Sequence, residues 1–284
     1  MTDQEHFDYE PAVGPSVYRL NKPLLMHIMG NEDGQCVLES FLNSFMEPRK
    51  LRVTKYIDFR YTLPYEELTA RFDVLAADSK NKAFHVVVLA SAEKFTTSRC
   101  FYITAATYAE RSQQTFRIPE CPVLLVALLD SICTPEAQHQ DVYSRYCLMD
   151  TKDHSVFPNS FEFHTFELPK LANSSKDKKY IPWVQYFAST ANTSDPAMQT
   201  IIGDDAALKE AVLRETQFFN VPSLCEKYQE EEKHRRNLLR TFESYRHEGQ
   251  AETKATIARN LAQEGVDQQI IAKACQLKNP FGKL

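Results

Sequence analysis

The stretch from Ala83 to Ser91 carries no charged side chain, and its centre, Phe84 to Leu89, is an apolar run broken only by His85. A run of this kind has no polar face to give to water, so it suits a central strand covered by helices on both sides. Arg71 to Asp78 precedes it across Asp78-Ser-Lys-Asn-Lys82, a stretch of turn composition, so the two segments read as a hairpin. The strand from Arg71 to Ala77 carries one aspartate, Asp73. Pro122 to Ile132 is a second apolar run of central-strand type, and Leu51 to Phe59 alternates apolar and polar residues as a half-buried strand does. Val142 to Met149 and Phe161 to Leu168 read as further strands.

Helical patterns alternate with these strands. Pro23 fits the first turn of a helix that runs through Met29 and is stopped by Gly30. From Gln35 to Met46, Val37, Leu38, Phe41, Leu42 and Phe45 recur at three and four, and Pro48 ends the segment. Thr97 to Gln114 is helical again, with Tyr102, Ala105, Ala106 and Ala109 expected to face inward. The predicted fold class is therefore α/β. The expected organisation is an unstructured lead-in (1–16), an α/β domain (17–190) and a helical C-terminal region (191–284).

The last region begins at the polar link Ala191-Asn-Thr-Ser-Asp-Pro196. Glu226 to Arg246 mixes both signs of charge with few apolar anchors beyond Leu238, Leu239, Phe242 and Tyr245, the pattern of a solvated or partner-facing helix. After Gly249 a final helix pair is expected, Thr253 to Gln263 and Asp267 to Leu277, separated at Gly265. Asp267 caps the second of the pair, and Ile257, Leu261, Ile270, Ile271 and Ala274 are the residues expected to pack it.

Several function classes are disfavoured. The net charge of −5 gives no global attraction to nucleic acid, so any such binding needs a local basic surface. None of the seven glycines forms a GxGxxG or GxxxxGK loop, which argues against phosphate cradling by a Gly-rich turn. Seven cysteines without a CxxC pair suit neither a disulfide framework nor a zinc site, and point to a reducing cytosol. The longest apolar run, Cys121 to Leu129, is too short to span a bilayer, and the polar, acidic start is not of signal-peptide type.

The order of elements, together with several short motifs, resembles the Rpn group of PD-(D/E)xK nucleases, the transposase-like proteins of bacteria. Val37-Leu-Glu-Ser-Phe-Leu-Asn-Ser-Phe45 is similar to that family's "LLxxFLN" helix, and Leu24 to Gly30 resembles its opening "FKxxFG" helix without the Phe and Lys. Phe72-Asp73-Val74 resembles the "hDh" strand, Ser98 to Tyr102 the "R…YY" helix, and Cys121-Pro-Val-Leu-Leu-Val the "PVIxIxIL" strand. Trp183 and the helical tail with Glu248-Gly249 and Glu264-Gly265 are also family-like. The resemblance implies a restriction-endonuclease-like mixed sheet flanked by helices and followed by an all-helical tail.

It also implies a site. In an active member, an aspartate on the first strand of the hairpin and a glutamate on the second hold Mg²⁺, which activates water and neutralises charge on the scissile phosphate. A lysine or glutamine two residues on then shares the glutamate's face. Asp73 carries over as the first metal ligand. The second ligand falls at Val87 or Val88 and the polar partner at Leu89 or Ala90, none of which can do the chemistry. The expectation is a nuclease fold, weak or inactive, that retains nucleic-acid binding, with no cofactor, or Mg²⁺ if the site works.

Glu39 is the candidate for a relocated carboxylate, set against a plain solvent-facing helical role. Glu93 and Lys94 lie just past the strand with the wrong spacing, and Asp78 suits its turn. His85 suits a satisfied core or edge position. Arg99 and Arg111, with Arg117 beyond, are candidate phosphate contacts, and Tyr102 and Tyr108 read as core rather than as a stacking platform. The rival class is an interaction module that self-associates or docks a protein partner through 204–277, with no membrane contact.

Overall fold

A computed structural model describes residues 16–57, 69–92, 96–115, 121–134, 140–157 and 160–275, the side chains of 111–115 excepted. The chain divides into two compact units, Met1–Glu231 and Glu232–Leu284.

The first unit is built on a six-stranded mixed sheet. Its strands are β1 (Arg52–Ile57), β2 (Thr69–Ala77), β3 (Ala83–Ser91), β4 (Val123–Leu129), β5 (Tyr143–Cys147) and β6 (Phe161–Glu167), in the order β1-β2-β3-β4-β6-β5. β1 to β3 form an antiparallel meander, β3, β4 and β6 run parallel, and β5 returns antiparallel at the edge. The parallel step from β3 to β4 needs a crossover, and helix α3 (Thr97–Thr115) supplies it. As the apolar runs predict, β3 after Ala83 and all of β4 are buried.

Side chains alternate across the sheet, so each face has its own core. Phe72, Val74, Val86, Val88, Leu124 and Val126 face helices α1 (Lys22–Met29), α2 (Gln35–Asn43), α4 (Ile181–Ala188) and α6 (Ala206–Phe219). Val87, Leu89, Leu125 and Ala127 face α3 through Cys100 and Ile103. α1 starts as Pro23 predicts: the Asn21 side chain accepts from the Leu24 amide, and Gly30 caps the end. Just before α2, Gly34 leaves no room for a side chain, since a Cβ there would lie 2.3 Å from the Ile28 carbonyl oxygen. Asn43 then ties α2 to the sheet, accepting from the Leu51 amide at 2.7 Å and donating to the Leu51 carbonyl at 2.8 Å.

Three local expectations are corrected. Even alternation through β1 fails because the register shifts between Val53 and Lys55, so Tyr56 rather than Lys55 shares the Val53 side, and Ile57 faces the other way. Phe59 lies outside the described residues. In α3 the buried face is Cys100, Ile103, Thr104 and Thr107, while Tyr102 is exposed. The threonines can face inward because their hydroxyls donate to the carbonyls of Cys100 and Ile103, at 2.6 and 2.9 Å.

The third correction is at Gly249, which does not end a helix. A single helix, α7, runs from Pro222 to Gln263. One interior glycine costs about 1 kcal/mol against alanine, less than strong helix formers on both sides can supply.

Ala191 to Pro196, read as a link, lies within the first unit along with helices α5 (Pro196–Ile202) and α6. The buried Arg19 guanidinium explains why. It holds Glu215 of α6 at 2.7 Å and donates to the carbonyls of Ser189 and Ala191 at 2.6 and 2.8 Å. The second unit closes on a small core of Ala258, Ile271 and Cys275 between α7 and α8 (Gln268–Cys275), with Leu261 and Val266 against it. Asp267 caps α8 through the Gln269 amide at 2.8 Å, as expected, whereas Ile257 and Ile270 remain exposed and Ala274 is not in that core.

Candidate active site around Asp73

The β2–β3 register resolves which side chains share the face of Asp73. Asp73 sits opposite Val87, Arg71 opposite Leu89, and Leu75 opposite His85. Val87 and Leu89 therefore share the face of Asp73, where the family resemblance expects the second ligand and the polar partner, and Val88 and Ala90 point to the opposite core. On its other side Asp73 is paired with Ile57 of β1. The carboxylate thus stands between two apolar cross-strand neighbours, with no exposed surface.

A buried carboxylate needs partners, and Asp73 finds them on its own hairpin. The His85 ring Nε2 lies 2.7 Å from Oδ2. Arg71, two residues before it on the same face, donates from Nε to Oδ1 at 3.0 Å and from an Nη to Oδ2 at 3.3 Å. The same Arg71 nitrogen donates to the Thr107 hydroxyl of α3 at 3.1 Å, which fastens the group to the helix. Burial pushes the Asp73 acid upward, but the hydrogen bonds from His85 and Arg71 and the arginine's charge outweigh it and hold the acid below its ordinary range.

These residues do not fit a Mg²⁺ ion. Such an ion takes several oxygen ligands at short range. Asp73 offers one carboxylate with both oxygens engaged, and its neighbours offer a guanidinium, an imidazole and hydrocarbon. Among the described residues no three His, Cys, Asp or Glu side chains come together as a group able to hold a metal ion.

The remaining candidates are not brought to Asp73. Glu39 lies on α2, which packs on the opposite face of the sheet. Its carboxylate accepts from the Val53 amide at 2.7 Å and from Gln35 at 2.9 Å, a structural tie to β1. Asp78 caps its own turn through the amides of Lys80 and Lys82, at 2.8 and 2.9 Å. Arg99 sits half-buried in the first turn of α3. The side chain of Arg111, and Glu93, Lys94 and Arg117 altogether, lie outside what the structure describes. Tyr108 packs on Phe161, ring centroids 5.9 Å apart, as a core residue does, whereas Tyr102 is turned to solvent.

A family model, described as a PD-(D/E)XK nuclease family transposase, matches residues 25–256. The chain belongs to that family. The match runs from α1 through the hairpin and crossover to α7, and the mixed sheet with flanking helices agrees with it. No curated protein and no solved structure matches the chain. Among the described residues, no helix of this family member is long and apolar enough to cross a membrane.

Another buried carboxylate of the sheet has arginine and histidine neighbours like those of Asp73. Glu162 on β6 faces the α1–α2 side and is held by Arg49 and by Arg145, whose Nε donates at 2.8 Å. Burial pushes the Glu162 acid up, but the hydrogen bond and charge of Arg49 and the charge of Arg145 hold it below its ordinary range. His164 is fully buried; its Nδ1 pairs with the Tyr143 hydroxyl at 2.8 Å, and burial pushes the ring down to about 3. The sequence signal was faint, since Arg49 and Glu162 stand far apart in the chain.

Proposed function

We propose that this PD-(D/E)XK family member has exchanged metal-dependent phosphodiester hydrolysis at its β2–β3 hairpin for a structural ion pair, and serves as a nucleic-acid-binding scaffold. One observation carries the reading: the Asp73 carboxylate is closed off by Arg71 and His85 and stands between Ile57 and Val87. In a metal-dependent site the same face would present a second carboxylate. Here the arginine supplies the positive charge that a metal would otherwise provide, and it does so permanently. Binding is assigned to the exposed first turns of α3, with Arg99 as a phosphate contact, because exposed aromatics Phe101 and Tyr102 stand beside it; Arg111, later in the same helix, is the second candidate. A reducing cytosol suits it, since all seven cysteines are free thiols.

Calorimetric titration with Mn²⁺ and Mg²⁺, run beside Asp73→Ala and paired with a cleavage assay on linear and single-stranded DNA, tests the catalytic half. The expected result is no Asp73-dependent heat and no metal-stimulated cleavage. Heat lost in the variant, or cleavage lost with it, overturns the reading. For the binding half, Arg99→Ala should weaken DNA binding and lower the dependence of log K on log salt by about one ion.

A second reading concerns the second unit. Along α7, Phe242 and Tyr245 are 53% and 67% exposed and Leu238 is half-buried, which favours self-association or a protein partner on that helix. Sedimentation of the whole chain beside a Phe242→Ser, Tyr245→Ser variant separates the two: a lower mass in the variant supports it, and equal masses leave the first reading alone.

A further inference from the structure

A cleft of about 120 Å³ opens at the edge of the sheet where β3, β4 and β6 begin and β5 ends. It lies at the ends of the strands, away from Asp73, whose cross-strand partner Val87 sits mid-strand. Arg49, Lys82, Phe84, Phe157 and Glu162 give it its chemistry. Both cations rest on the buried Phe84 ring: the Arg49 guanidinium carbon is 5.5 Å from the ring centroid and the Lys82 Nζ is 5.6 Å away. The ring therefore holds two positive side chains at one mouth.

Most of their hydrogen-bonding capacity is unspent. Among the described residues, Arg49 donates from one terminal nitrogen to Glu162, which leaves its Nε and other Nη without an acceptor, and the Lys82 ammonium has none. Glu162 does not cancel this charge, because Arg145 shares it. Arg49, Arg145 and Lys82 set three positive charges against one carboxylate, and His164, kept neutral by burial, adds none of either sign. Two positive charges remain for an anion.

The rim supplies a planar surface. Phe157 is 63% exposed, and its backbone is fixed at both ends: its amide donates to the Leu148 carbonyl and its carbonyl accepts from the Ser160 hydroxyl, each at 2.9 Å. A phenyl ring held in water by its own backbone, next to unspent cationic donors, suits a ligand that is anionic at one end and flat and apolar at the other. We propose that this cleft binds a nucleotide, with the phosphate between Lys82 and the free edge of Arg49 and the base stacked on Phe157. Guanidinium and ammonium donors are the groups that recognise phosphate, and base-on-aromatic stacking tolerates any base. The ligand is either a free nucleoside monophosphate or the phosphorylated end of a strand, since both carry the same two features.

Calorimetry on the full chain at low salt separates the sources, with AMP and dTMP, 5′-phosphorylated and 5′-hydroxyl single-stranded decamers, and inorganic phosphate as probes. At least one nucleotide probe should bind more tightly than inorganic phosphate. Lys82→Ala and Phe157→Ala should each weaken it about tenfold, as expected for one charged contact or one stacked base. Both side chains are at the surface, so thermal melting should be unchanged in either variant. Binding of the monophosphates assigns a small-molecule site; binding of the phosphorylated decamer alone assigns a strand end; each supports the proposal. No binding of any nucleotide at millimolar concentration overturns it, as does binding that both variants leave intact. Arg99→Ala should not affect this cleft, so its failure and failure of the α3 interface are read separately.

Discussion

Two buried carboxylates in one sheet are surrounded by the same residue types and reach different ends. Asp73 has one arginine and one histidine, both on its own hairpin, and is sealed under α3 with side-chain exposures of 0% for itself and 6% for each partner. Glu162 has two arginines and a histidine, but Arg49 and Arg145 come from other segments and are 30% and 42% exposed. The first cluster spends its charges on itself. The second holds one more cation than it needs, and that cation is at the surface. What decides whether a buried acid is structural or contributes to a binding surface is therefore where the counter-charge stands, not which residues are used.

The contrast can be broken most directly by removing each acid. Asp73→Ala leaves the Arg71 guanidinium buried without its partner, and should cost about 3–5 kcal/mol in urea unfolding, the range for stranding one half of a buried pair. Glu162→Ala frees arginines that can swing into water, so its cost should be about 1 kcal/mol. Equal losses would mean that exposure of the arginines does not distinguish the two sites. A larger loss for Glu162 would reverse the assignment of which cluster is structural.

Acid sharpens the same contrast. His164 ordinarily titrates near 6.5, and burial pushes it down to about 3 in the folded chain. The unfolded chain then takes up the proton first, so stability is full above pH 6.5 and falls as pH drops from 6.5 towards 3. The slope for one such group is at most about 1.4 kcal/mol per pH unit. Asp73 and Glu162 are shifted down as carboxylic acids, so their contribution is present above the ordinary carboxylate range and is lost only below it. Between about pH 4.5 and 6.5 the loss belongs to histidines. His27 is lowered too, by burial and then by Arg214, but it contributes equally to the wild type and a His164→Phe variant. Denaturation at a series of pH values should show a shallower acid slope in the variant across that window. Parallel curves would place the acid sensitivity elsewhere.

The sheet was readable because β3 and β4 lack polar alternation and because turn residues punctuate the hairpin. Asp73 was readable from its strand, and the partner on its own strand could have been: Arg71 is two residues away, and period two puts both on one face. Choosing Val87 over Val88 required the register, which a symmetric turn between Ala77 and Ala83 fixes and composition does not. Apolar patterning misplaces the inward face of α3 because alanine and tyrosine count as apolar and threonine as polar. A threonine that donates to its own helix four residues back is satisfied locally and can face a core. The Glu162 cluster depends on a contact between residues 49 and 162 that no local pattern encodes. Gly249 has the composition of a stop because glycine is a common helix terminator, but in α7 it has neither a left-handed conformation nor a following proline to end the helix.

Those threonines also give the smallest test. Thr104 and Thr107 stand one after the other on the buried face of α3, and both hydroxyls donate to the carbonyl four residues before. Only Thr107 also accepts from Arg71, at 3.1 Å, and so belongs to the Asp73 cluster. Valine keeps the shape and removes the hydroxyl in each case. Thr104→Val loses a bond to a helix carbonyl that keeps its backbone partner, and should change stability by no more than about 0.5 kcal/mol. Thr107→Val removes one acceptor from a buried guanidinium, and should cost about 1.5–3 kcal/mol, the range for a hydrogen bond to a charged group. If the Asp73 cluster works as a unit, Thr107→Val should cost measurably less once Asp73→Asn has already loosened Arg71, a coupling of about 0.5 kcal/mol or more in a double-mutant cycle. Strict additivity would mean that α3 is held to the sheet by its apolar face alone, and that the arginine bridge from Asp73 to the helix contributes nothing to the crossover.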